Sequence, residues 1–133
     1  AMLLCLVGSE MCIRDSFVFG NHDEALALTE TDNIDDAIEV LKEKDFITII
    51  TDGPNGSFII TDGDVIKSNG FEVDAIDTNG AGDMFAGAFM HAMLSGKELH
   101  ECGAFANLAA SKIVQTFGPR LKKEEYQDLL ENL

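Results

Sequence analysis

Apolar residues recur along the chain with two spacings, which predict strands and helices. Short apolar runs predict strands over 17–19 and 46–51, and the second, rich in β-branched residues, is typical of a central parallel strand covered on both faces. Apolar positions three and four residues apart predict helices over 32–41 and 98–115, and a more uniformly apolar helix is predicted over 82–94. A short amphipathic helix is predicted over 122–133.

The segment between residues 57 and 76 predicts a hairpin and one further strand. Two runs, 57–61 and 64–67, flank Asp62-Gly63, a pair that favours a type I′ turn. The run 71–76 is strand-like and leads towards the helix over 82–94. On the helices, Cys102 is interpreted as a packing residue and His91 as a histidine of the core or its edge.

The string Asp77-Thr78-Asn79-Gly80-Ala81-Gly82-Asp83 predicts a tight turn into that helix. Glycines let the backbone turn sharply and approach a ligand, and the unpaired N–H groups and dipole of a helix start attract anions. Asp83 falls in the first turn, where the dipole stabilises a carboxylate. A carboxylate beside an anion site suits phosphoryl transfer to a hydroxyl, with Asp83 as the base. The alternative is that this string is an ordinary helix start without a ligand. The string matches neither a Walker A loop nor the dinucleotide-binding fingerprint.

The string 77–83 resembles the C-terminal signature of the PfkB, or ribokinase-like, family of carbohydrate and nucleoside kinases. The resemblance implies that Asp83 is the catalytic base and that the backbone of Gly80, Ala81 and Gly82 forms the anion hole. It implies a three-layer α/β/α sandwich, of which this chain is the C-terminal part. It also implies transfer of the γ-phosphoryl group of ATP, with Mg²⁺, to a nucleoside or a sugar.

Asn79 within this signature resembles the adenosine kinase-like branch, so adenosine is the first acceptor that we expect. The alternatives are a sugar kinase of the ribokinase or fructokinase kind, and a non-catalytic fragment that binds nucleotide. A vitamin kinase of the same superfamily is less favoured, because such enzymes tend to carry Gly-Thr-Gly-Asp rather than Gly-Ala-Gly-Asp.

Two further motifs follow in the family's order. Asn21 and Glu24 match an Asn-x-x-Glu motif near the metal and phosphates, and Glu24 is expected to bind Mg²⁺ through water. The alternative for this pair is a helix cap with acids in the first turn. Thr51, Gly53 and Gly56 lie at the carboxyl end of the predicted strand 46–51 and match a string that lines the nucleotide site in the family. The alternative here is a plain glycine-rich turn.

Two single residues are assigned through the resemblance alone. Asn107 is matched to a residue that approaches the adenine, and an exposed asparagine is the alternative. Asp77 and the loop 116–121 are expected near a monovalent cation site, with K⁺ as the candidate ion.

The charge composition limits the classes of partner that the chain is expected to bind. With 9 basic and 24 acidic residues the net charge is −15, which argues against nucleic acid and anionic membrane surfaces. A polyphosphate therefore needs local help from helix N-termini and Mg²⁺. Three cysteines, Cys5, Cys12 and Cys102, fit neither a zinc site nor a disulfide framework, and reduced thiols in a cytoplasmic protein are expected. No apolar run approaches the length of a transmembrane helix.

The 133 residues are less than half the usual length of this family. We expect residues 17–133 to form the C-terminal, nucleotide-binding part, without most of the acceptor site and its lid. Residues 1–16 match nothing in the family, and a foreign leader and a divergent strand with its loop are equally favoured. Weak nucleotide binding and little turnover are expected, because positioning supplies much of the rate of phosphoryl transfer. The oligomeric state is not predicted.

Overall fold

A computed structural model describes residues 3–6, 16–118 and 120–131 of the chain. The strands are β1 (Leu3–Leu6), β2 (Ser16–Asn21), β3 (Ile47–Thr51), β4 (Gly56–Ile60) and β5 (Val65–Asn69). The helices are α1 (His22–Thr29), α2 (Ile34–Lys42), α3 (Ala81–Leu94), α4 (Leu99–Val114) and α5 (Lys123–Glu131). None of the helices in these ranges is long and apolar enough to cross a membrane.

The strands form one mixed sheet in the order β1-β2-β3-β4-β5. β3 is central: it pairs in parallel with β2 and antiparallel with β4, while β1 pairs antiparallel with β2. Its parallel neighbour is reached through α1 and α2, whereas only a short turn leads to its antiparallel neighbour, as each kind of connection requires. The middle of β3 is fully buried, as its apolar sequence predicts.

The chain divides into two compact units, and the first comprises the chain up to Asp52 together with Ser57–Lys67. Its core joins apolar faces of α1 and α2 to β3 and β4. The predicted amphipathic helix is confirmed as α2, which buries the face that the spacing of its apolar residues indicated. The core residues are Ala25, Ile38, Leu41, Ile50 and Ile60.

The second unit comprises Gly53–Gly56 and the chain from Ser68 onwards. α3 and α4 pack against each other, with buried alanines on both helices that let their backbones approach. The rings of Phe85 and Phe89 on α3 are stacked with centroids 6.2 Å apart. Cys102 is buried, as predicted, but His91 is exposed, so its assignment to the core was wrong.

Two local predictions were also wrong. The segment 71–76 is not a strand: the backbone N–H groups of Ile76 and Asp77 donate to the Val114 carbonyl at 2.7 and 3.1 Å, so its end joins a helix terminus instead of a sheet. Asp62-Gly63 does connect β4 and β5, and Gly63 has a φ of 77°. However, Asp62 lacks the positive φ that a type I′ turn requires at both central residues.

Candidate functional site

The start of α3 presents backbone donors that find no acceptor within residues 3–6, 16–118 and 120–131. Gly80 precedes the helix in the left-handed region, at a φ of 81°, and none of the side chains that the structure describes caps the helix. The N–H of Ala81 donates to the Thr78 carbonyl at 3.3 Å. None of the described residues accepts a hydrogen bond from the N–H of Gly82 or Asp83. Two adjacent donors at a helix start therefore point away from the helix, which is the arrangement that binds anions.

Space around Gly82 is open as well. A Cβ placed on Gly82 meets no atom within 4 Å, and its φ is not in the left-handed region. The fold itself therefore does not require glycine here, in contrast to Gly80. Other parts of the described chain therefore do not crowd the Cβ position of Gly82.

The Asp83 side chain is exposed in the first turn of α3. It makes no hydrogen bond or ion pair with any other described residue, so its carboxylate is available to a ligand. The helix dipole favours its negative charge. One turn thus combines two N–H groups that have no acceptor among the described residues with an exposed carboxylate.

Asp77 fixes the segment that leads to α3. One carboxylate oxygen accepts from the N–H of Asn79 at 2.9 Å, and the other accepts from the N–H of Gly118 at 3.3 Å. The Gly118 contact shows that Asp77 and the loop after α4 are neighbours, whereas the monovalent cation site stays a prediction. Both carboxylate oxygens serve backbone groups in this arrangement.

The turn formed by Gly53–Asn55, a single 3₁₀ turn, lies in the second unit with Gly56. Gly53 has a φ of 53°, and a Cβ placed on it would meet no atom within 4 Å, so glycine serves the backbone conformation at this position. Gly56 is different, because a Cβ there would lie 2.0 Å from the carbonyl oxygen of Ser68 and 2.5 Å from the nitrogen of Gly70. Its close approach is to the protein's own backbone.

Asn107 lies in the same unit, in the middle of α4. It is buried, with 6% of its surface exposed, and its Nδ2 donates to the Ser68 carbonyl at 3.3 Å. The alternative of an exposed asparagine was therefore wrong. The second unit thus brings Gly56 and Asn107 together around Ser68.

In the first unit, Asn21 and Glu24 form a capping box at the start of α1. The Asn21 side chain accepts from the N–H of Glu24, and the Glu24 carboxylate accepts from the N–H of Asn21, both at 2.9 Å. The helix cap that was the alternative for this pair is therefore present, and it holds a carboxylate and an amide in fixed positions at the end of β2.

Thr51 lies opposite Asn21 at the carboxyl ends of the parallel strands β2 and β3. Its hydroxyl donates to the Gly20 carbonyl at 3.4 Å. His22 Nδ1 lies 3.2 Å from Asp52 Oδ1, which adds a second link between the ends of these strands. Polar side chains therefore gather where ligands bind in α/β sheets.

The donor set near Glu24 fits a hydrated ion better than a bare one. Among the described residues, no group of three histidine, cysteine or acidic side chains is arranged to hold a metal. Mg²⁺ keeps several of its waters and needs only one or two carboxylates. A single fixed carboxylate with a neighbouring amide meets that requirement through water.

Sequence reasoning missed Ser68 and Gly70, which close on the Gly53–Gly56 turn. Gly70 is as constrained as Gly56, because a Cβ there would lie 2.2 Å from the Pro54 carbonyl oxygen. The one available signal was a glycine three residues after the predicted hairpin. Its partner across the chain was not readable from the sequence.

Comparison with known proteins gives a consistent family. A model described as pfkB family carbohydrate kinase matches residues 14–125. The nucleoside kinase of Methanothermobacter thermautotrophicus is 39% identical over 102 residues, which are 76% of this chain and 32% of that protein.

Two solved structures share the fold. The adenosine kinase from Sinorhizobium meliloti has a TM-score of 0.80 and 32% identity, covering 88% of this chain and 36% of that one. The Arabidopsis thaliana ribokinase solved with ribose and ATP has a TM-score of 0.74 and 28% identity, covering 86% and 40%. The predicted α/β fold of the ribokinase type is confirmed. This chain spans between 32% and 40% of the length of these relatives.

Proposed function

The chain belongs to the pfkB family of carbohydrate kinases, and from that premise we propose that it is the nucleotide-binding part of an ATP-dependent kinase for a nucleoside or a sugar. Adenosine is the acceptor proposed first, on the signature with Asn79 and the likeness to an adenosine kinase. The observation that carries the proposal is the start of α3, where the N–H groups of Gly82 and Asp83 have no acceptor in the described part of the chain and lie beside an exposed carboxylate.

The chemistry follows from these groups. The two N–H groups donate to oxygens of the transferring phosphoryl group and stabilise the charge that builds there. The Asp83 carboxylate accepts the proton of the acceptor hydroxyl while the oxygen of that hydroxyl bonds to the γ-phosphorus. The bond from that phosphorus to the bridging oxygen breaks, and ADP leaves with the electron pair.

Metal ions enter the proposal through two sites. When bound, Mg²⁺ neutralises phosphate charge, and Asn21 and Glu24 would order its waters from their capping box. A K⁺ ion beside Asp77 stays a prediction: the nearby Gly118 loop favours it, but both carboxylate oxygens already accept backbone hydrogen bonds. No step of the reaction depends on that ion.

Calorimetric titration of the purified chain with Mg²⁺ and a non-hydrolysable ATP analogue tests the proposal. Gly82→Ala places a methyl group beside the unpaired donors, and we expect it to weaken binding at least about tenfold. Gly87→Ala makes the same change on the same helix, also in open space, and should leave binding intact. Equal affinities for both variants, or no binding by a folded chain, would contradict the proposal.

A second candidate function is nucleotide binding without turnover. These residues span 32% to 36% of two matched relatives, and turnover by these residues alone needs an acceptor pocket as well as a nucleotide site. ADP release with adenosine or ribose as acceptor separates the two candidates. Release that Asp83→Asn abolishes supports the kinase, whereas binding without release supports the second candidate.

A further inference from the structure

The buried amide of Asn107 has a role that the phosphate site does not explain. Buried polar side chains are almost always hydrogen-bonded, because an unmet donor costs free energy. Asn107 is 6% exposed, and its Nδ2 donates to the carbonyl oxygen of Ser68 at 3.3 Å. This bond links the middle of α4 to a residue 39 positions earlier in the chain.

The backbone of Ser68 lies against the Gly53–Gly56 turn, at the start of β4. The space between the two backbones admits no side chain: a Cβ on Gly56 would lie 2.0 Å from the Ser68 carbonyl oxygen, and one on Gly70 would lie 2.2 Å from the Pro54 carbonyl oxygen. The N–H of Gly70 also donates to the Asn55 carbonyl, at 3.4 Å. A small displacement of Ser68 is therefore transmitted directly to the turn.

We propose that Asn107 is a positioning residue, which holds the Ser68 carbonyl and thereby fixes the Gly53–Gly56 turn where it lines the nucleotide. The inference rests on the proposed function and adds the residue that sets this part of the site. It differs from an adenine contact, because Asn107 directs an amide N–H at the protein's own backbone. Its effect on nucleotide binding is indirect and independent of the base.

The unmodified chain offers a first test that needs no variant. Nuclear magnetic resonance measures the solvent exchange of side-chain amide protons, with the exposed Asn79 as the reference. We expect one Asn107 amide proton to exchange at least about tenfold more slowly than those of Asn79, since a buried hydrogen bond must open first. Equal exchange rates would overturn the inference.

The second test compares Asn107→Asp with Ile113→Val. The first replaces the donor by a carboxyl oxygen that faces the Ser68 carbonyl, and the second removes a buried methyl group elsewhere on α4 as the control for helix packing. We expect Asn107→Asp to speed exchange of the Gly70 amide about tenfold relative to the control. It should also weaken the binding of ATP and GTP analogues by the same factor.

The outcomes are distinguishable. If the ratio of ATP to GTP affinity changes while Gly70 exchange does not, Asn107 contacts the base directly and the positioning role is wrong. Unchanged Gly70 exchange with unchanged affinities also overturns it. If the unmodified chain binds neither nucleotide, the proposed function fails. The exchange rates of the Asn107 side-chain amide and the Gly70 backbone amide then decide alone whether Asn107 positions the turn. Should Asn107→Asp not fold, the side-chain exchange of the unmodified chain decides.

Discussion

The carboxylate of Asp77 accepts a hydrogen bond from the backbone N–H of Gly118, at 3.3 Å across 41 residues of chain. Its other oxygen accepts from the N–H of Asn79 at 2.9 Å. Asp77 thus joins the segment that enters α3 to the loop that leaves α4. The start of α3, at Ala81, follows this junction within a few residues.

Replacing Asp77 should loosen that junction. Asp77→Asn removes the charge and one acceptor, and we expect the free energy of unfolding to fall by about 1–2 kcal/mol, since hydrogen bonds to charged groups are stronger than neutral ones. Urea denaturation measures the change, and the amide of Gly118 should exchange faster. Asp74→Asn is the control, because its exposed side chain is not tied to that loop. Equal losses for the two variants would contradict the role given to Asp77.

A comparison of Gly56 and Gly63 separates the cost of a left-handed backbone conformation from the cost of a steric overlap with a new side chain. Both have positive φ, at 109° and 77°, but a Cβ on Gly63 meets nothing within 4 Å, whereas one on Gly56 overlaps backbone atoms. Gly63→Ala should cost about 1–2 kcal/mol of unfolding free energy for the left-handed conformation alone. Gly56→Ala should cost more, about 3 kcal/mol or above, because backbone atoms must also move. Thermal or urea unfolding checks the order, and equal costs would show that the contact with Ser68 is absent.

Thr48 is the site of an expected gain in stability. Its hydroxyl is fully buried in β3 and has no hydrogen-bond partner among the described residues. Thr48→Val replaces the hydroxyl by a methyl group of similar size, and the free energy of unfolding should rise by about 1 kcal/mol. Thr29→Val is the matched change with the opposite expected sign, because the Thr29 hydroxyl donates to the Ala25 carbonyl at 2.8 Å. A loss of stability in Thr48→Val would reveal a partner for this hydroxyl.

The Cys102 thiol should make stability fall in alkaline solution. Burial raises the pKa of Cys102 above its usual value of 9.0, and the carboxylate of Glu101 adds to this. The folded state therefore holds the thiol proton more tightly than the unfolded state, so the contribution is complete below the usual pKa and is lost as the pH rises above it. Between about pH 8 and pH 10, the unfolding free energy should fall more steeply in the native chain than in Cys102→Ala. Parallel slopes for the two chains would contradict this.

The sequence predicted the helices well because their signals are local. The spacing of apolar residues placed α2, α3 and α4 to within about two residues of their ends, as periodic segments allow. The strand predicted over 71–76 was wrong for a physical reason. An extended run looks the same in sequence whether its backbone pairs with a strand or, as at Ile76, with the end of a helix.

The candidate site was predictable only in part. The turn before α3 and the position of Asp83 in its first turn follow from local chemistry, and the structure has them as predicted. However, the sequence does not show that the Ala81 N–H donates to the Thr78 carbonyl, which leaves Gly82 and Asp83 as the donors without an acceptor among the residues that the structure describes. The constraint on Gly56 was likewise invisible, because Ser68 approaches it from a different strand.

The most direct test of the central claim is a nucleotide titration followed by the backbone amide signals of the ¹⁵N-labelled chain. The claim is that the start of α3 binds the phosphates of ATP. With Mg²⁺ and a non-hydrolysable ATP analogue, we predict saturable shifts that are largest at the amides of Gly82 and Asp83, with Gly87 unmoved as the reference on the same helix. A folded chain that binds the analogue without shifting those two amides, or that does not bind it, would contradict the claim.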